Sequence, residues 1–288
     1  MASRHLTAFP ACLHIDGGVK AVASLSGEHG AFAWCGIAFQ RVLQSTGLSS
    51  SDLLHLISDR TITTSSSFSG IATEITAGQC IEAAAAAHIA SVLDSGVAPL
   101  PVPIKYKCIH CIEKSSPCQE ELLHNKRGPD CLFGDIMTFC PPALQAQVDA
   151  TEEFDGGFLK QLAFAEPRLA GWCLKHGRVC PLLRADQHTA GTPCTDYSNW
   201  GLRKKEQGPI AKLFAVWIAL RRSLREPVLL HENVPTFGQD TLLDFLGDLY
   251  IVLRVSPVCP SAMGWPIRRP RQISLLLLKT WLYPLLED

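Results

Sequence analysis

Ala190-Gly191-Thr192-Pro193-Cys194-Thr195-Asp196-Tyr197-Ser198 is the stretch from which the fold is read. It follows a segment, Leu182 to Thr189, that reads as a strand. Proline fixes φ and removes a backbone donor. Glycine permits a sharp turn and the close approach of a ligand. The stretch therefore presents one thiol, Cys194, rigidly at the carboxyl end of a strand, where open α/β sheets build their sites. The plain alternative is a buried cysteine in an ordinary loop, since free cysteine is among the most buried residue types.

Working outward, the chain alternates strand and helix signals. Arg60 to Ser67 (RTITTSSS) ends at Phe68-Ser69-Gly70-Ile71-Ala72-Thr73 and predicts a first strand and turn. The alanine-rich Glu74 to Leu93 predicts a helix. Strand, glycine turn and helix begin a doubly wound α/β unit. Lys105 to Ile112 is a second strand ending at Glu113, and Cys118 to Asn125 a helix. Asp130 to Phe133 is a short third strand leading into Gly134-Asp135-Ile136. Residues 139–181 read as an irregular or helical insertion, and Ile210 to Leu224 as an amphipathic helix. Val228 to His231 (before Glu232-Asn233-Val234), Tyr250 to Val255, and Ile273 to Leu278 (after Arg268-Arg269-Pro270-Arg271-Gln272) complete seven strands. The expected fold is α/β: a doubly wound, mostly parallel seven-stranded sheet whose last two strands form a hairpin-like pair. Residues 60–288 form one core, and residues 1–59, with a helix candidate at Ala31 to Val42, an N-terminal extension.

The ordered set Phe68-Ser69-Gly70-Ile71, Pro193-Cys194, Glu232-Asn233-Val234 and Arg269-Pro270-Arg271 resembles the cytosine-C5 DNA methyltransferase family, from about Arg60 to about Lys279. The resemblance implies the Rossmann-like sheet of S-adenosylmethionine-dependent methyltransferases. It also implies that cofactor, held by Phe68, Ser69, Gly70, Ile71, Glu113, Asp135, Ile136 and Pro193. The chemistry suits those residue types. A carboxylate at the end of a second strand can accept both hydroxyls of a ribose, as Glu113 would. Asp135 can accept from the adenine amine, Phe68 can pack on the ring, and N–H groups near Gly70 can meet the methionine carboxylate. The plain alternatives are a solvated strand-end acid for Glu113 and a helix N-cap for Asp135. For catalysis the resemblance implies that the Cys194 thiolate adds to cytosine C6 while Glu232 supplies a proton at N3. Arg269 stabilises charge on O2, supported by Arg271. The target base must leave its stack to reach such a site. Two positions depart from the pattern: Ala72 stands where many members have glycine, and Ile267 where a glutamine is usual. Trp281 to Asp288 is too short for the family's target-recognition and closing segments. Recognition is accordingly expected from a partner protein or from chain not present here. DNA is the first expected substrate. The alternatives are transfer RNA, which one branch of the family methylates, and an inactive cofactor- or partner-binding remnant.

Composition bounds these readings. The 47% hydrophobic and 18% charged content is that of a globular chain. The net charge of −1, from 26 basic and 27 acidic residues, gives nucleic-acid binding no support beyond what a local patch could supply. Twelve cysteines without a secretory signal pattern point to reduced thiols in a nuclear or other intracellular compartment. No apolar run approaches the ~20 residues of a membrane span. Cys108-Ile109-His110-Cys111, with Cys118 and Cys131 nearby, invites a zinc reading, but no second paired turn follows. The ten histidines show no ligand spacing, so no metal is expected.

Overall fold

The computed structural model describes residues 58–92, 103–151, 155–195, 210–263 and 266–282, with residues 52, 55 and 208. The expected N-terminal extension and its helix at Ala31 to Val42 therefore lie almost wholly outside the described residues. The described residues contain one nine-stranded sheet in the order β5-β4-β3-β2-β1-β6-β7-β9-β8. The strands are β1 (Thr61–Ser67), β2 (Lys105–Ile112), β3 (Cys131–Phe133), β4 (Ala170–Cys173), β5 (Arg178–Pro181), β6 (Gln187–Gly191), β7 (Val228–Asn233), β8 (Tyr250–Val258) and β9 (Arg271–Leu278). The sheet is mixed, correcting the expected seven strands and mostly parallel arrangement. β1 pairs in parallel with β2 and β6, β2 with β3, and β6 with β7. The β3–β4, β4–β5, β7–β9 and β8–β9 pairings are antiparallel. The two extra strands are a hairpin inside the 139–181 insertion.

Among the described residues, seven helices accompany the strands: α1 (Thr73–Val92), α2 (Ser116–His124), α3 (Gln145–Ala150), α4 (Gly156–Phe164), α5 (Ala211–Leu224), α6 (Gln239–Leu246) and α7 (Lys279–Leu282). None of the described helices is long and apolar enough to cross a membrane. Close packing of α1 on β2 is set by Gly78: a Cβ there would lie 2.9 Å from the Tyr106 Cβ. Helix α5 is not amphipathic. Residues 214–221 are all buried, including Trp217 and Arg221, as in a helix enclosed by core on every side. Its C-cap, Arg225, is left-handed with φ 51°. Arg221 pairs with the equally buried Glu226, whose carbonyl accepts from the Tyr250 hydroxyl at 3.1 Å.

Strand β1 lies near the middle of the sheet, where parallel strands are usually continuous Val, Ile or Leu. Here Ser65, Ser66 and Ser67 are buried instead. Two of these hydroxyls are paired, as burial demands. Ser66 donates to Ser69 Oγ at 2.7 Å, and Ser65 Oγ lies 2.7 Å from His188 Nδ1. The Trp217 indole N–H donates to His188 Nε2 at 3.2 Å, so the imidazole proton sits on Nδ1 and is given to Ser65. Burial pushes His188 well below the ordinary histidine range, which keeps it neutral. Strand β6 begins at Gln187, later than the expected Leu182. Asp186 just before it is taken by Thr63, whose N–H and hydroxyl donate to its carboxylate at 2.8 and 2.6 Å.

Candidate active site

The strand order runs outward from β1 through β2 and β3, then returns to β6 on the other side of β1. Such a reversal opens a crevice at the carboxyl ends of the two central strands. The loops after β1 and β6 flank it, and they carry Phe68 to Ala72 and Thr192 to Cys194.

The first loop is wound unusually. Phe68, Gly70 and Ala72 have φ of 56°, 53° and 51°. Glycine adopts this left-handed region freely. For a bulky residue such as Phe68 it is an outlier, and such strain clusters at ligand sites. Ala72 therefore holds a conformation that glycine would take without cost. The loop is fastened by Glu113, buried at the end of β2. One Glu113 oxygen accepts from Gly70 N–H at 2.6 Å and the other from Ser115 N–H at 2.7 Å. Each oxygen keeps a further lone pair for a ligand.

Phe68, Glu113, Asp135, Ile136 and Pro193 together line one pocket of about 390 Å³. Five of the eight residues expected at a cofactor thus meet in a single cavity. Ser69, Gly70 and Ile71 are not among its lining residues: Ser69 holds the loop through its hydroxyl bonds to Ser66 and the Ile112 carbonyl, Gly70 holds it through Glu113, and Ile71 is exposed. Asp135 also fills its plain structural role. One oxygen caps the 3-10 turn Ile136–Phe139 by accepting from Met137 N–H at 2.9 Å, and the other meets Lys114 Nζ at 2.7 Å.

The second loop is bound to β7. Gly191 and Glu232 are register partners. A Cβ on Gly191 would stand 3.3 Å from a Glu232 carboxylate oxygen, so glycine makes room for that group. The buried Asn233 donates through Nδ2 to the Thr192 carbonyl at 3.2 Å and to Thr192 Oγ1 at 2.8 Å, while its own carbonyl accepts from Val234 N–H at 2.8 Å. Thr192 Oγ1 lies 2.7 Å from Nε2 of His231. Burial pushes His231 down to about 3, so the ring is neutral and Nε2 can accept the hydroxyl proton. Pro193 and the half-buried Cys194 follow directly on this fixed threonine.

Of the two expected arginines, Arg271 reaches the acid: its Nε lies 2.6 Å from Glu232 Oε1. Arg269 is exposed, two residues before β9 begins. The difference follows from register. β9 pairs Ile273 with Glu232 and Gln272 with Asn233, which leaves Arg271 as the first strand residue beside the acid.

Thr192 and His231 are missed by motif reading, because a threonine before a proline and a histidine in an apolar strand carry no distinctive spacing. Nor do Cys108 and Cys111 join His110. Their sulfurs lie 3.6 Å apart against Ala72, Ile75, Leu122 and Leu132, whereas His110 packs on the Phe133 ring. A different cluster, Cys131, Cys173, His176 and Cys180, gathers at the β3–β4–β5 edge. Its Cys173-x2-His176-x3-Cys180 spacing was readable in the sequence.

No protein-family model matches the chain, and no curated protein matches it. Among solved structures it is similar to a protein from E. coli described as a DNA modification methyltransferase encoded within a prophage. The identity is 14% and the TM-score 0.40, over 77% of this chain and 48% of that one. It is also similar to the S. pombe Dnmt2 methyltransferase, at 16% identity and TM-score 0.40, over 75% of this chain and 51% of that one. The chain spans about half the length of each of these structures.

Proposed function

We propose that this chain is the catalytic core of an S-adenosylmethionine-dependent cytosine-C5 methyltransferase acting on DNA. The observation that carries this reading is the convergence, at one reversal of strand order, of a thiol loop, an acid–arginine pair and a pocket bearing an aromatic ring and two carboxylates. At about 390 Å³ the pocket falls within the range of small-molecule sites. Its donor set fits the cofactor: Glu113 for a ribose diol, Asp135 for an adenine amine and Phe68 for the ring face. When bound, S-adenosylmethionine supplies an electrophilic methyl group.

The protein's own residues would perform the rest. Cys194 attacks cytosine C6 as a thiolate, the reactive form of the side chain. Glu232 holds a proton at N3, which makes C6 electrophilic, and the thiolate's addition there turns C5 into an enamine-like nucleophile. Arg271 already contacts Glu232, so an entering base must exchange for that contact, and the guanidinium is then placed to meet the developing charge on O2 with Arg269. Once C5 carries the methyl group, loss of its proton to water and departure of the Cys194 thiolate from C6 restore the aromatic ring. Asn233 and Thr192 hold the nucleophile's loop throughout. A partner protein or further chain would supply target recognition, and the protein would work in the nucleus or another intracellular compartment that holds DNA.

The test is covalent trapping with 5-fluorocytosine, in which fluorine at C5 blocks the final elimination. Incubation with S-adenosylmethionine and fluorinated DNA should give a denaturant-resistant adduct that Cys194→Ala abolishes. An adduct on RNA alone would move the substrate to transfer RNA or its relatives. No adduct on either, with the cofactor bound, would make the chain a binding remnant and overturn the catalytic reading.

A further inference from the structure

We propose that Cys131, Cys173, His176 and Cys180 form a structural zinc site that clips the β4–β5 hairpin to the edge of β3. The inference is independent of the methyltransferase reading. One ligand comes from the start of β3, one from the end of β4, one from the connecting turn and one from β5. All four ligand atoms lie within 4.8 Å of one another.

The distances carry the argument. His176 Nδ1 is 3.6 Å from Cys131 Sγ, 3.4 Å from Cys173 Sγ and 3.5 Å from Cys180 Sγ. One ring nitrogen has either a single proton or a single lone pair, so it cannot hydrogen-bond three thiols equally. Zinc bonds of about 2.3 Å to sulfur and about 2.0–2.1 Å to nitrogen, at tetrahedral angles, place the two ligand atoms roughly 3.6 Å apart. The three observed separations are thus the three edges meeting at the nitrogen corner of an S3N tetrahedron. Three thiolates and one imidazole at tetrahedral geometry are the donor set of structural zinc sites.

The backbone around Cys173 supports the same reading. Gly177, with φ +60°, closes the turn by donating to the Cys173 carbonyl at 2.9 Å. All three cysteines are free thiols, and Cys173 and Cys180 are buried.

The clip also answers a structural need. β4 joins β3 through one register pair, Phe133 with Cys173. Trp172 and Val179 on the hairpin are 58% and 64% exposed, so the hairpin buries little apolar surface of its own. Short isolated hairpins are marginal in water. Four protein ligands close the coordination sphere, which makes a structural site and not a catalytic one.

The test is metal content and spectrum of the full chain. Purified with zinc present, the protein should carry one zinc per chain by elemental mass spectrometry. Cys180→Ser and Cys131→Ser should lose it, while Cys118→Ser retains it and His176→Cys, which keeps four ligands, retains it too. Should the serine variants fail to fold, the unaltered chain still decides. Loading it with Co(II) alone, after chelation, should give the intense visible absorption of tetrahedral cobalt and a sulfur-to-metal charge-transfer band. Absence of stoichiometric zinc together with a weak octahedral cobalt spectrum would overturn the proposal. So would a disulfide among these cysteines in freshly purified protein, found by non-reducing mass spectrometry.

Discussion

Replacing Asn233 by alanine tests how the thiol loop is held. The side chain makes three hydrogen bonds: two from Nδ2 to Thr192, at 3.2 and 2.8 Å, and one from Val234 N–H at 2.8 Å. Each is worth about 0.5–1.5 kcal/mol net, and a buried partner left unsatisfied costs about 1–3 kcal/mol. Thr192 and Val234 are both buried, so water cannot take over freely. Thr192 Oγ1 keeps His231 as a partner, which limits the loss on that side. The sum is a destabilisation of about 3 kcal/mol for Asn233→Ala. Urea unfolding should show it as a lower midpoint with an unchanged slope. Thr192→Val removes the shared hydroxyl, so the two changes should be non-additive by roughly 1 kcal/mol in a double-mutant cycle. The alkylation rate of Cys194 should rise in Asn233→Ala as the loop loosens. A stability change below about 1 kcal/mol, additivity with Thr192→Val and an unaltered alkylation rate would together refute the claim that Asn233 fixes this loop.

Glu113→Gln should weaken S-adenosylmethionine binding at least about tenfold by calorimetric titration, because the amide nitrogen must face a backbone N–H of Gly70 or Ser115; unchanged affinity would remove Glu113 from the site. Gly191→Ala should abolish base trapping while changing stability by less than about 1 kcal/mol, since the new methyl presses on the Glu232 carboxylate 3.3 Å away at a half-exposed position; retained trapping would show that Glu232 has room to spare. Acid should destabilise the fold early. Burial pushes His110 and His231 down to about 3, so below pH 6.5 the unfolded chain takes protons that the native state refuses. Stability present above pH 6.5 is therefore lost as pH falls towards 3, by about 1.4 kcal/mol per histidine at pH 5.5. Half-buried Glu74, pushed upward by desolvation, acts in the opposite direction and offsets part of this. Thermal melts at pH 7.5 and 5.5 should differ accordingly, and His231→Gln should shrink the difference.

Strands with long runs were legible. β2 spans Lys105–Ile112 as expected, and β1 and α1 fall within one residue of expectation at their starts. The hairpin was not: Ala170–Cys173 and Arg178–Pro181 are four residues each, half exposed, and paired only because β3 offers an edge. Helix α5 misled because Arg221 and Arg222 look like a polar face, yet Arg221 is buried against Glu226 and only Arg222 reaches outward, to Asp248 at 2.7 Å. At the site, linear order selected Cys194 and Glu232, but the choice between Arg269 and Arg271 depends on a register that only the β7–β9 pairing fixes. The sulfur cluster joins residues from 131 to 180 across a β3–β4 contact that spacing alone does not announce.

The buried polar groups beneath the two loops explain why the site needs a costly core. Ser65, His188, Asn233 and His231 occupy central strands where aliphatic side chains would contribute more stability. Each has a defined partner, and Trp217 fixes the proton of His188 on Nδ1. A hydroxyl or imidazole with one satisfied arrangement has one orientation, whereas an aliphatic side chain tolerates several packings. Where a thiol must meet one atom of a base, orientation is worth more than the lost burial. The sulfur–imidazole cluster shares no partner with this network and sits at one end of the sheet order, on the β3–β4–β5 edge, away from the central strands. Damage to the two should therefore add: Asn233→Ala and Cys180→Ser together should destabilise by the sum of their separate costs, to within about 0.5 kcal/mol. A coupling well above that would mean that the edge hairpin and the thiol loop are held by one connected structure.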